Sequence, residues 1–176
     1  EFRRVLFRSI PSTATGFLGG DNPRLFEELF HRLAIRDEFL RIPGETRAGI
    51  KIVDEGRRET TDINFPGLAP SAADQRALAG KIRSLVRPGR WFVLAGSLPA
   101  CLCPGFLAEI LGAIRSGGAF VAADTSGAAL ATAIDTGVDL VKPNEHELAE
   151  YLGRDLSGFP TKLAAARELQ REKTPR

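Results

Sequence analysis

The sequence predicts an α/β fold: a mostly parallel sheet flanked by helices, with a small antiparallel sheet inserted near its front. Three observations carry this. From Pro66 onward, short continuous apolar runs alternate with helix-forming stretches, as strand–helix–strand units require. Each apolar run ends in a polar loop containing glycine or asparagine. Residues 38–65 instead alternate apolar with polar residues around turn formers and carry no helical period.

The elements follow in order. Residues 10–16 form a short strand ending at Gly16, and Gly19-Gly20-Asp21-Asn22-Pro23 is a loop. Asp21 or Asn22 caps the next helix, with Pro23 in its first turn. Leu25, Phe26, Leu29, Phe30 and Leu33 give that helix one apolar face, and His31 falls at its surface or boundary. Phe39 to Ile42 is a strand, Ile50 to Val53 another, Asp54-Glu55-Gly56-Arg57 a turn, and Thr60 to Phe65 a third extended run. Together 39–65 are predicted as a small antiparallel sheet. Ser71 and Asp74 form a capping box for a helix through Leu85. Trp91 to Ala95 has the pattern of a strand buried on both faces. A helix over 104–116, a strand over 119–123, an alanine-rich helix, a strand over 138–141 and helices near 145–152 and 160–172 complete the chain.

With 24 Lys and Arg against 22 Asp and Glu among 176 residues, no polybasic nucleic-acid surface is predicted. No apolar run is long enough to span a membrane, and Arg3, Arg4 and Arg8 interrupt the only apolar stretch at the start. Cys101 and Cys103, one residue apart, suit neither a disulfide nor a zinc site, so a reducing, cytoplasmic setting is expected. There is no G-x-x-x-x-G-K-[ST] phosphate loop, no G-x-G-x-x-G fingerprint and no G-x-S-x-G elbow. Two histidines make a histidine-rich metal hydrolase a poor fit. Methionine is absent, and both ends are expected to be cut. Glu1-Phe2 is what an EcoRI site encodes in frame, so residues 1–9 are expected to be a non-native scar.

In open α/β sheets ligands bind beyond the carboxyl ends of the strands. Three such ends carry Gly96-Ser97, Asp124-Thr125-Ser126-Gly127 and Lys142-Pro143-Asn144-Glu145-His146-Glu147. A hydroxyl, carboxylates, an ammonium and backbone amides along one edge suit a phosphorylated ligand with a metal ion. Each loop also has a plainer explanation. Gly96-Ser97-Leu98-Pro99 can be only a turn. Asp124-Thr125-Ser126 can be only a helix cap, and Asn144 with Glu147 can be only a capping box. Glu145, His146 and Glu147 point in different directions on a helix and do not make one metal site.

Six segments in order carry a resemblance. They are Thr13-Ala14-Thr15-Gly16-Phe17-Leu18-Gly19-Gly20-Asp21-Asn22, Gly44-Glu45-Thr46-Arg47-Ala48-Gly49-Ile50-Lys51 and Thr61-Asp62-Ile63-Asn64-Phe65-Pro66-Gly67, followed by Leu94-Ala95-Gly96-Ser97-Leu98-Pro99, Asp124-Thr125-Ser126-Gly127 and Val141-Lys142-Pro143-Asn144-Glu145-His146-Glu147-Leu148. Over about residues 10–172 the chain resembles the ribokinase-like sugar kinases of the phosphofructokinase B family, in the branch that acts on fructose 1-phosphate. The resemblance implies a doubly wound α/β domain, here residues 10–38 and 66–176, carrying a β lid at 39–65. It implies MgATP, fructose 1-phosphate converted to fructose 1,6-bisphosphate, and a homodimer formed through the lid. No nucleic-acid or membrane partner is expected.

By position, the resemblance gives Arg47 the substrate's phosphate, whose oxygens match a guanidinium fork. Ser97 and Asn64 fall on the sugar side, and Lys142 and Asn144 on the ATP phosphates. Glu147 falls in the N-x-x-E motif that organises Mg2+, which keeps its waters and suits an indirect carboxylate. The family's early aspartate and G-G-x-G-x-N stretch are expected before residue 10. Its G-A-G-D motif, whose aspartate is the general base, is expected beyond residue 176, so the chain is predicted to be an inactive fragment. The alternatives are a kinase of the same family acting on tagatose 6-phosphate or fructose 6-phosphate, and a non-catalytic sugar-phosphate-binding or dimerisation module.

Overall fold

The computed structural model describes residues 10–96, 98–99, 101–102 and 104–173, the side chains at 62, 64, 104, 172 and 173 apart. The scar predicted at 1–9 lies outside the described residues. The chain divides into two units after Leu78, within a helix.

In the first unit, β1 (Thr13–Ala14) pairs parallel with β3 (Arg36–Asp37), and β2 (Phe17–Gly19) pairs parallel with β4 (Leu40–Ile42). The strand expected over 10–16 is therefore only Thr13–Ala14, and a second strand follows beyond Gly16 that takes in Gly19, a residue expected in a loop. Gly16 separates them at φ 142°, a backbone that side-chain-bearing residues rarely adopt. Pairing then resumes, with Leu40 N donating to Gly16 O and Gly19 reaching the register of Ile42. Helix α1 (Arg24–Leu33) makes the crossover. Its N-cap position is Pro23, which has no side-chain cap, so neither Asp21 nor Asn22 plays the expected capping role. Of the predicted apolar face, Phe30 is buried and its ring stacks on Phe39 at 5.5 Å, but Leu25 is 73% exposed. Arg41 on β4 ties the crossover to α1 through Asp37 and Glu27, and those carboxylates raise its already high pKa.

Strand β5 (Gly49–Asp54) and β6 (Glu59–Asn64) form an antiparallel hairpin with Gly49 opposite Asn64 and Asp54 opposite Glu59. The antiparallel pairing predicted for 39–65 is thus confined to 49–64. Residues 40–42 belong to the parallel ladder with β2, because the crossover through α1 returns the chain alongside β2 in the same direction. Helix α2 (Ala72–Leu85) opens with the predicted box: Ser71 N donates to Asp74 Oδ2 at 2.8 Å, and Asp74 N donates to Ser71 Oγ at 3.2 Å.

The second unit holds a parallel sheet in the order β7 (Trp91–Ala95), β8 (Phe120–Asp124), β9 (Leu140–Val141). Strand β9 starts at Leu140 because Asp139 pairs partly through its side chain: Val121 N donates to its Oδ2 at 2.9 Å. Helices α3 (Pro104–Ser116), α4 (Gly127–Thr136), α5 (Glu145–Leu152) and α6 (Phe159–Lys173) lie in the expected places. Val121 and Ala123 of β8 are buried on the face that packs on α3 and α4. Leu130, Ile134, Leu148, Leu156, Ala165 and Leu169 extend that core through α4, α5 and α6.

The opposite face of this sheet departs from expectation. Trp91, Val93 and Leu140 are 55%, 69% and 54% exposed. Strand β7 is therefore not buried on both faces among the described residues. Its apolar run has a partner layer on one side only, and Trp91 leans on Phe120 with ring centroids 5.1 Å apart.

Candidate functional site

The strand ends of the second unit bring together the polar loops that the sequence singled out. Thr125 is the one buried polar residue among those described, and its hydroxyl donates to Gly96 O at 2.7 Å. Burying a hydroxyl without a partner is costly, so this bond fixes the end of β7 to the end of β8. Gly96 N returns the link by donating to Asp124 O at 3.1 Å. Ser97, the next residue, lies outside the described residues.

One strand further, Lys142 N donates to Ala123 O at 3.0 Å, which sets Lys142 beside Asp124. Its ammonium lies 3.0 Å from Asp124 Oδ1, with both side chains more than half exposed. An exposed pair of this kind contributes at most about 1 kcal/mol, so a phosphate can replace the carboxylate at little cost. Asp124 and Thr125 therefore do not act as a helix cap. Ser126 holds the N-cap position of α4 but makes no side-chain cap bond.

Asn144 and Glu147 do form the plainer structure. Asn144 Oδ1 accepts from His146 N and Glu147 N, both at 2.9 Å, and Glu147 Oε2 accepts from Asn144 N at 2.8 Å. The cap engages Asn144 through Oδ1 and Glu147 through Oε2, and Glu147 also lines a cavity of about 300 Å³. Gly127, Ala128, Leu130 and Ala131 of α4 and Glu150 and Tyr151 of α5 form the rest of its wall. Glu145 turns away to Lys162, whose hydrogen bond holds its carboxyl below the usual range. Among the described residues no cluster of three or more His, Cys, Asp or Glu side chains could hold a metal. The donor set around Glu147 thus fits Mg2+ only as one carboxylate acting on an ion that keeps its waters and phosphate ligands.

In the first unit, Arg47 is exposed and follows directly on Thr46. Its stem passes Gly67, where a Cβ would lie 3.7 Å from Arg47 Cδ. Asn64 ends β6 opposite Gly49, and its side chain lies outside the described set. Ile50 and Ile63 stand opposite each other and share one face of the hairpin with Ile52, all three exposed. Two residues here have partners that their sequence neighbourhood does not announce. Thr46 accepts from Gly19 N at 2.7 Å through its hydroxyl, and Asn22 binds the Thr46 backbone. Asn22 directly before a proline carries the signal of a cap. Its real partner lies 24 residues away, and no local pattern announces it.

One unit thus holds a parallel sheet whose strand ends carry an ammonium, a carboxylate and a capped helix start, and the other bears an antiparallel hairpin. The chain belongs to the pfkB family of carbohydrate kinases, whose profile matches residues 5–175. That match begins ahead of residue 10, where the resemblance in motifs starts. The chain is 44% identical over 156 residues to the 1-phosphofructokinase of Rhodobacter capsulatus, covering 88% of this chain and 49% of that protein. Against the 1-phosphofructokinase of Vibrio cholerae it is 40% identical over 157 residues, covering 89% and 49%. Among solved structures, phosphofructokinase-2 from Escherichia coli in complex with fructose-6-phosphate superimposes with a TM-score of 0.86 at 25% identity, over 98% of this chain and 57% of that one. A possible 1-phosphofructokinase from Thermotoga maritima gives 0.80 at 30% identity, over 97% and 55%. The α/β class is therefore as predicted, and the chain spans about half the length of the curated relatives it matches. Among the described residues no helix is long and apolar enough to cross a membrane.

Proposed function

We propose that this chain is the sugar-phosphate-binding portion of an ATP-dependent 1-phosphofructokinase. In that reaction the 6-hydroxyl of fructose 1-phosphate loses its proton and takes the γ-phosphoryl group of ATP, and ADP leaves. The observation that carries the reading is Lys142 held beside Asp124 at neighbouring strand ends, in a chain 44% identical to a 1-phosphofructokinase. Lys142 is assigned to the nucleotide's phosphates. Asn144 fixes the start of α5 there, its carboxamide oxygen and its N–H both being taken by the cap, and its carboxamide NH2 is assigned to the same phosphates. Glu147 is assigned to Mg2+ through water, and the ion when bound neutralises charge on the transferring group. Arg47 is assigned to the 1-phosphate of the sugar, with Ser97 and Asn64 on the sugar hydroxyls.

No residue of these 176 is assigned as the general base, and turnover by this chain alone is not expected. The exposed apolar face of the hairpin, Ile50, Ile52 and Ile63, is assigned to a homodimer contact, and residues 39–65 to a lid. The cytoplasm is the compartment this substrate and the two cysteines fit.

Calorimetric titration tests the reading. The chain should bind fructose 1-phosphate more tightly than fructose 6-phosphate or tagatose 6-phosphate. Arg47→Ala should weaken that binding by about 1.5–3 kcal/mol, the worth of a hydrogen bond to a charged group. Preference for a 6-phosphate would move the assignment to another kinase of the family, and no binding of any of the three would overturn it.

A further inference from the structure

The β2–β4 ladder continues beyond its last paired residues. Gly20 N donates to Ile42 O at 2.8 Å, and Asp21 N donates to Gly44 O at 3.1 Å. At the next step a side chain takes the place of a strand. Asn22 Nδ2 donates to Thr46 O at 3.0 Å, and Asn22 Oδ1 accepts from Thr46 N at 2.7 Å. A carboxamide carries the same donor and acceptor as a peptide unit, so Asn22 pairs with Thr46 as one more residue of β2 would. The Thr46 hydroxyl closes the clasp by accepting from Gly19 N at 2.7 Å. The N–H, the carbonyl and the hydroxyl of Thr46 are therefore all held by residues 19–22. The approach is close: a Cβ on Gly19 would lie 2.3 Å from Thr46 N.

We infer that Asn22 and Thr46 are positioning residues for Arg47. The clasp fixes the peptide from which the Arg47 side chain springs. It thereby lowers the entropy lost when the guanidinium is ordered on a phosphate. The inference rests on the assignment of Arg47 to the sugar's phosphate. It also explains why a carboxamide is needed: aspartate would accept from Thr46 N but would set a second acceptor against Thr46 O.

The test is a titration of the 176-residue chain with fructose 1-phosphate in Asn22→Ala, Asn22→Asp, Thr46→Val, Thr46→Ser and Arg47→Ala, and in the double variant Asn22→Ala/Arg47→Ala. Asn22→Ala, Asn22→Asp and Thr46→Val should each weaken binding roughly tenfold, the worth of about one hydrogen bond. Thr46→Ser should bind like the unmodified chain. Asn22→Ala should cost nothing further once Arg47 is gone, because Asn22 acts through it. Amide exchange at Gly19 should quicken in Thr46→Val and stay slow in Thr46→Ser. An equal loss from Asn22→Ala with and without Arg47 would overturn the inference, as would unweakened binding by Asn22→Ala beside weakened Arg47→Ala. Unweakened binding by Arg47→Ala, or no binding by the unmodified chain, would instead remove the assignment of Arg47 and this inference with it.

Discussion

A methyl group at position 19 would lie 2.3 Å from Thr46 N and 2.5 Å from Gly44 O, both backbone atoms that no rotamer change can move aside. Gly19→Ala should therefore destabilise the fold by about 1–3 kcal/mol, as overpacking does, read as a lower urea midpoint. Gly19 was expected in a loop and instead ends β2, and Asn22, expected as a cap, pairs with Thr46. The Asn22 carboxamide can cap a helix or pair with a peptide, and the choice is made by Thr46, far along the chain. Asn144 was legible because its partners, His146 and Glu147, lie within three residues. Asp124 and Thr125 were legible as a polar strand end, but not in their roles. Their partners, Lys142 and Gly96, directly follow the neighbouring strands β9 and β7.

The same division between local and distant partners governs the elements. The helix starts at Ser71 and Asn144 follow i to i+3 patterns, and both capping boxes formed as predicted. Strand pairing is distant, and residues 39–42 were expected in the small antiparallel sheet when β4 belongs beside β2. The burial of β7 was misjudged for a related reason, since an apolar strand does not say how many faces are covered. The start of α2 also carries a pH dependence. The Ser71 hydroxyl and N–H donate to Asp74 and hold its carboxyl below the usual range. A carboxyl lowered in the folded state stabilises the fold above its unfolded pKa of about 3.9, and the contribution is lost as pH falls through the folded value. Thermal unfolding should therefore show the chain's advantage over Asp74→Ala constant above about pH 5 and shrinking below about pH 4.

At the scale of the whole molecule, two apolar surfaces among the described residues face solvent. One is the sheet face of Trp91, Val93 and Leu140, and the other is the hairpin face of Ile50, Ile52 and Ile63. Exposed apolar patches on strands promote association, and the two differ in kind. The hairpin face is assigned to a defined dimer, while the sheet face offers Trp91 and Val93 on β7, an edge strand. Sedimentation velocity should show Ile52→Asp removing the dimer and Val93→Asp removing larger species. An unchanged distribution in both variants would show that neither face drives association.

The hairpin and the ladder beside it also set an order of assembly. Strands β5 and β6 join through a turn at 55–58, so every pair they make is between residues near in sequence. Such hairpins close in about 1–10 μs. The β2–β4 ladder must first bring α1 across, and the Asn22–Thr46 bonds span 24 residues, a contact that folds more slowly for its separation. Sequence separation therefore favours closing the hairpin before the Asn22–Thr46 clasp, with the backbone at Arg47 fixed after it.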